Sequence, residues 1–221
     1  MTSTPSSLPP SGPLAPLILA SKSPARTKIL TEAGIPHRIL VSAVDEDAVV
    51  EQHPDAGPAE TALLLARAKA EAVASLPEAD GALVLGCDSV FEFGGEALGK
   101  PYTPEVAAER LRAMSGRAGI LHTGHWLVDC RDGVLSSSGE LASAGVEFTE
   151  MSDGEIAAYV ATGEPLHCAG SFTIDGLGGA FLARVDGDPH TVVGLSVSTL
   201  RTLLTRTGVR FTDFWAAAVV R

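Results

Sequence analysis

Cysteine is scarce in this sequence. The three that occur, Cys87, Cys130 and Cys168, are far apart and form no CxxC pair, so neither a disulfide framework nor a structural zinc site is supported. A reducing cytoplasm suits that usage. Positive charge is short as well: 16 Lys and Arg against 27 Asp and Glu give a net charge of −11. That balance argues against duplex nucleic acid as a partner, because binding a phosphate backbone requires a basic surface. It leaves room for a small anion in a local basic pocket. No run reaches the roughly 18 to 20 apolar residues that span a bilayer, so membrane insertion is not expected. Residues 1–16 carry five prolines, no lysine or arginine and no apolar stretch long enough for a signal peptide. They read as a disordered leader, with one folded unit expected over residues 17–221.

What is present is a large apolar fraction, 45%, ample for a sizeable core. Residues 17–20 form a short apolar run. Ser23, Pro24 and Gly34 then bracket a helix as N-cap, first helical residue and C-terminal stop. Residues 38–42 read as a second strand, with the acidic Asp45-Glu46-Asp47 in the loop that follows. Alanine and leucine at helical spacing predict a helix over 59–76. The apolar run 82–87 is short, which predicts a buried strand ending at Asp88. Residues 90–93 and Gly94-Gly95 suggest a hairpin, and 104–114 a helix. Strands over 121–130 and 134–146 flank Asp132-Gly133, and Ser152 caps a helix to Thr162. Strands are predicted at 178–185 and 191–193 around Asp186-Gly187-Asp188, followed by a helix over 196–207. The alternation predicts an α/β fold with a mixed, twisted sheet and flanking helices.

Several polar residues fall where apolar ones are expected. Arg26, in the first turn of its helix, shares a face with Ile29, Leu30 and Ala33. A cation there opposes the helix dipole unless an anion shares the free backbone N–H groups, so Arg26 with Ser21 and Ser23 reads as a phosphate site. The alternative is an arginine that reaches back to water or pairs with an internal carboxylate. Lys69 repeats the anomaly, lying on the stripe of Leu65, Ala72 and Val73, whereas Arg67 and Glu71 form an outward pair. Lys100, in a Gly-Lys-Pro turn, is a third candidate cation. Asp88 follows a buried strand, where open α/β sheets build ligand sites, and is the principal catalytic candidate. Glu46 offers a second carboxylate. Two carboxylates among cations suit metal-assisted phosphoryl chemistry with Mg²⁺ or Mn²⁺. Competing signatures are weak. The sequence has no GxxxxGK[ST] loop and no GxSxG elbow; His122 and His125 should face opposite sides of a strand, and Cys87 reads as inert packing.

The ordered blocks Leu19-Ala20-Ser21-Lys22-Ser23-Pro24-Ala25-Arg26, Val44-Asp45-Glu46, Ala66-Arg67-Ala68-Lys69-Ala70, Gly86-Cys87-Asp88-Ser89 and Gly99-Lys100-Pro101 together resemble the Maf family of nucleotide pyrophosphatases. The resemblance implies two lobes around a cleft. It also implies hydrolysis of a nucleoside triphosphate between its α and β phosphates, aided by a divalent cation. By position, Asp88 matches the catalytic aspartate and Glu46 the acid that shares its metal. Ser21, Arg26, Lys69 and Lys100 match phosphate-contacting groups. Two departures stand out, the first putting one phosphate contact in question, missing or replaced by Lys22, and the second the base. Ala25 stands where the motif commonly carries arginine, and Ser89 and Asp175 differ from the residues of the better-defined branches, leaving the base unassigned. The family's name links it to septum formation, so a non-catalytic nucleotide-binding regulator is the alternative, and the resemblance admits a homodimer.

Overall fold

The computed structural model describes residues 15–131, 133 and 135–215. Residues 1–14 of the expected leader, Asp132 and Val134 of the expected hairpin, and residues 216–221 lie outside them. Ala15 packs against the core and the Pro16 carbonyl accepts from the Leu83 N–H, so both residues contribute to the fold.

The elements in chain order are β1 (Leu17–Leu19), α1 (Pro24–Glu32), β2 (His37–Ile39), α2 (Glu46–Glu51), α3 (Pro58–Ala74), β3 (Leu83–Phe93), β4 (Glu96–Leu98), α4 (Pro104–Met114), β5 (Ala118–Asp129), β6 (Ser136–Phe148), α5 (Asp153–Ala161), β7 (Leu182–Asp186), α6 (Pro189–Val193) and α7 (Val197–Arg206). Among these, seven strands form one mixed sheet in the order β2-β1-β3-β5-β6-β7, with β4 paired to β3. β1 runs parallel to β2 and β3, and the remaining pairs are antiparallel. This is the mixed α/β arrangement with flanking helices that the alternating pattern predicts.

Side-chain alternation along β1 and β3 sorts the helices to opposite faces. Leu17, Leu19, Leu83, Leu85 and Cys87 point to the face covered by α1 and α7, where Leu30, Leu200, Leu203 and Leu204 complete a core. Ile18 and Val84 point the other way, onto Ala70 and Val73 of α3. Beyond, Phe91 sits edge-on to Phe148 and Phe172 in a third cluster that α4 and α5 close with Leu111, Met114 and Ile156.

Four local expectations are corrected. The strands predicted at 82–87 and 90–93 are one strand, so Asp88 lies within β3 rather than at its end; pairing with β5 runs unbroken through Asp88↔Gly124 and Ser89↔Thr123. Glu46 is the first residue of α2, not a loop residue, because the Asp45 side chain caps that helix by accepting from the Ala48 N–H. Residues 191–193 are helical: Asp188 caps α6 through the His190 N–H and Pro189 occupies its first turn, a start signal that outweighs three β-prone residues. The strand predicted at 178–185 is half 3₁₀ turn, Leu177–Phe181, before β7 begins. Ser152 does cap α5, with a full capping box to Glu155. Among the described residues, no helix is long and apolar enough to cross a membrane.

Candidate active site

The sheet opens at one place. β3 keeps β5 on one side along its length, but on the other side β1 covers only Leu83–Leu85 and β4 only Phe91–Phe93. Between them residues 86–90 face the Ser21 loop and the head of α1 instead of a strand. A cleft of about 750 Å³ lies there, lined among others by Ser21, Arg26, Glu46, Lys69, Asp88 and Ser89. That volume is in the range of small-molecule sites.

Arg26 is buried, with 9% of its surface exposed. Its Nε donates to the Gly194 carbonyl at 2.8 Å, Nη1 to Ser21 Oγ at 3.1 Å and Nη2 to Ser89 Oγ at 3.2 Å. Ser89 Oγ also meets Thr123 Oγ1 at 2.9 Å, and Thr123 donates on to the Thr191 carbonyl at 2.8 Å. Among the described residues these partners are all neutral and Arg26 forms no salt bridge. It therefore makes no ion pair with an internal acid among the described residues, and what surface it keeps lines the cleft. A buried guanidinium held in plane by neutral acceptors retains its charge and spare N–H groups for an anion.

Lys69 is placed by an unusually close helix–sheet approach. A Cβ on Gly86 would lie 2.2 Å from the Ala66 carbonyl oxygen, and one on Gly124 would lie 2.3 Å from that of Ala62. Both glycines share Asp88's face of the sheet, Gly86 two residues before it and Gly124 directly opposite it. Their missing side chains let α3 settle onto the strands. From there Lys69 Nζ donates to Asp88 Oδ1 at 2.5 Å and contacts Glu46 Oε1 at 2.9 Å. Lys69, expected to meet phosphates alone, is thus also the bridge between the two carboxylates. Burial pushes the Asp88 pKa above the ordinary aspartate value; Lys69 and then Arg26 oppose that shift, and Glu46 adds to it. The neighbouring Cys87 thiol is buried and pushed up to about 12, consistent with packing.

The other expected residues spread along the cleft. Ser21 accepts from the Ser23 N–H at 3.2 Å as well as from Arg26. Ser23 is the α1 cap, accepting from the Arg26 N–H. Lys100 lines the cleft from its exposed turn. Asp175 is at the rim, 3.8 Å from Lys28 of α1. Sequence reading gave Gly194 no part in the site, yet its carbonyl fixes Arg26, and its φ of +124° is one that glycine adopts readily. It missed His125 too, whose Nε2 accepts from the Ser196 N–H at 2.8 Å just beyond Gly194. Burial lowers that imidazole to about 4, and the bond requires the neutral ring.

The donor set can be tested against a divalent cation. Glu46 and Asp88 converge on one ammonium, while no group of three or more His, Cys, Asp or Glu converges among the described residues. Mg²⁺ is commonly held by one or two carboxylates, with substrate phosphates and water completing its shell. The pair fits such an ion alongside a phosphorylated substrate.

The nucleoside triphosphate pyrophosphatase of Streptomyces coelicolor is 52% identical over 202 residues, 91% of this chain and 95% of the relative. Proteins of the same name from Leifsonia xyli subsp. xyli and Thermosynechococcus vestitus are 49% and 47% identical, over 92% and 90% of this chain and 98% of each relative. The profile of the family described as Maf-like protein matches residues 16–207, and the chain belongs to the Maf family.

Proposed function

We propose that the protein is a nucleoside triphosphate pyrophosphatase, cleaving its substrate to the nucleoside monophosphate and pyrophosphate. The observation that carries the reading is a buried Arg26 without an acidic partner, opposite a buried Asp88 with raised proton affinity, in a cleft of nucleotide size. The name borne by relatives near 50% identity points the same way.

In this mechanism Asp88 accepts a proton from a water molecule as its oxygen attacks the α-phosphorus. The bond from that phosphorus to the bridging oxygen breaks, and the electron pair leaves with pyrophosphate. Arg26 and Lys100 take up the charge growing on the departing group, with Ser21 orienting Arg26. Lys69 favours the ionised form of Asp88 against its burial. Glu46 and Asp88 would hold a divalent cation, Mg²⁺ or Mn²⁺, which when bound neutralises phosphate charge. Ser89, Ser23 and Asp175 complete the proposed substrate contacts. The resemblance to the Maf family extends the proposal to a cytoplasmic enzyme that clears non-canonical nucleotides, with a homodimer and a link to cell division.

Product analysis tests the proposal. With Mg²⁺ or Mn²⁺ and a panel of common and modified triphosphates, the expected products are monophosphate and pyrophosphate in equal amounts. Diphosphate with orthophosphate, or binding without turnover as a regulator would give, overturns it. Asp88→Asn should lower kcat by about 10²- to 10⁴-fold.

A further inference from the structure

We propose that Glu164 is a positioning residue for the nucleoside end of the cleft, its carboxylate tying the wall 167–175 into shape while the phosphate end is built independently of it. The proposal rests on the pyrophosphatase reading above.

The segment after α5 contains little regular structure, only the 3₁₀ turns Glu164–His167, Ala169–Ser171 and Leu177–Phe181. Its shape depends on side-chain bonds, and one side chain supplies four. Glu164 Oε1 accepts from Tyr159 Oη at 2.9 Å, Thr173 Oγ1 at 2.6 Å and the Gly178 N–H at 2.9 Å, and Oε2 accepts from the Leu177 N–H at 2.9 Å. The chain wraps this carboxylate closely: a Cβ on Gly176 would lie 2.7 Å from Glu164 Oε2, and one on Gly178 would lie 2.4 Å from Tyr159 Oη. Burial acts to raise the Glu164 pKa, but the bonds from Thr173, Gly178, Leu177 and Tyr159 outweigh it and hold the group below the usual glutamate value.

The tied segment supplies His167, Cys168, Phe172, Thr173, Ile174 and Asp175 to the cleft. Residues 167–175 themselves include no lysine or arginine, and their carboxylate, Asp175, is 3.8 Å from Lys28 of α1. The triphosphate belongs beside Arg26, whose hydrogen bonds go to neutral groups alone, which leaves the uncharged nucleoside against the wall held by Glu164. Glu164 stands behind that wall and acts through Thr173 and its neighbours.

Glu164→Gln keeps the shape but turns an amide NH₂ towards groups that are themselves donors. For a nucleoside triphosphate, KM should rise about tenfold, the equivalent of one charge-assisted hydrogen bond. The kcat should hold within about threefold, and inhibition by tripolyphosphate, which has no nucleoside, should hold within about twofold. Thermal unfolding verifies folding of the variant; if it does not fold, Thr173→Val removes a single donor and should give a smaller rise in KM of the same kind. An unchanged KM, a fall in kcat alone, or tripolyphosphate weakened in step with the nucleotide overturns the proposal. Wild-type protein that binds nucleotide but releases no pyrophosphate sinks the enzymatic reading instead, and calorimetric affinities for nucleotide and tripolyphosphate then test Glu164 separately.

Discussion

Two cations are turned inward in this protein, one at the head of α1 and one midway along α3, and the chain handles them in opposite ways. Arg26 is held by a carbonyl and two hydroxyls, so its position is fixed by neutral partners while its charge, though Asp88 feels it, makes no salt bridge among the described residues. Lys69 has 10% of its side chain exposed and meets two carboxylates. Sequence periodicity gives both residues the same signal, a charge on an apolar stripe. The partners separate them. A buried cation is costly, the more so at a helix N-terminus, and an arriving anion relieves that cost. A cation between two acids instead holds together groups that would otherwise repel each other. Arg26 is thus a standing demand for an anion, and Lys69 organises the acids that act beside it.

The two should therefore fail differently. Arg26→Ala is expected to lower kcat/KM by about 10²- to 10³-fold, the scale of losing one preorganised donor to developing charge. Lys69→Met should cost less at the plateau, about 10- to 10²-fold, but should move the pH profile more. The sign follows from Asp88. Burial raises its pKa and Lys69 is the strongest opposing influence, ahead of Arg26. Without the ammonium the carboxylate stays protonated to higher pH, and the acid limb of kcat/KM shifts upward. Equal shifts in the two variants, or a larger plateau loss in Lys69→Met, would break the distinction.

Much of this was legible in the sequence, for identifiable reasons. Ser23-Pro24 and Ser152 announce helix starts because capping is a local signal, and Asp88, Arg26 and Lys69 were conspicuous as polar residues in apolar settings. The extent of β3 was not legible. Whether a strand ends at a carboxylate or runs through it is decided by its partner, and β5 lies some thirty residues away. Gly194 and Glu164 were equally hidden, one acting through a backbone carbonyl and the other through four donors scattered between residues 159 and 178. Ser23 caps α1 in the structure, a role the sequence does not separate from phosphate contact, since a hydroxyl that caps a helix and one that meets a phosphate look alike there.

Glycine at 86 is what brings Lys69 within reach of Asp88, so the contrast between the cations can be loosened without touching either. In Gly86→Ala the new methyl meets backbone atoms of α3, the Ala66 carbonyl oxygen at 2.2 Å and the Ala70 nitrogen at 2.8 Å. Neither can swing aside, so the helix must lift. Denaturant unfolding should show a loss of about 1 to 3 kcal/mol, the usual cost of overpacking. Where the protein remains folded, its acid limb should shift in the direction of Lys69→Met, by less. A variant destabilised by that amount with an unmoved pH profile would show that the Lys69–Asp88 contact does not depend on the close approach.

The smallest effect is expected on the Arg26 side, where the two serines of the opening motif part company. Ser23 Oγ accepts from the Arg26 N–H at a long 3.4 Å, so Ser23→Ala should cost about 0.5 to 1 kcal/mol of stability as a weakened cap. If its hydroxyl is committed to the helix, kcat/KM should stay within about threefold, less than the tenfold that 1.4 kcal/mol of transition-state binding represents. Ser21 is different, because its hydroxyl receives the guanidinium itself at 3.1 Å. Ser21→Ala leaves Arg26 with one lateral support fewer and should lower kcat/KM further than Ser23→Ala. If Ser23→Ala is instead the worse of the two, Ser23 turns from the helix towards bound phosphate, and the division between a residue that shapes the helix and one that aims the cation has to be drawn elsewhere.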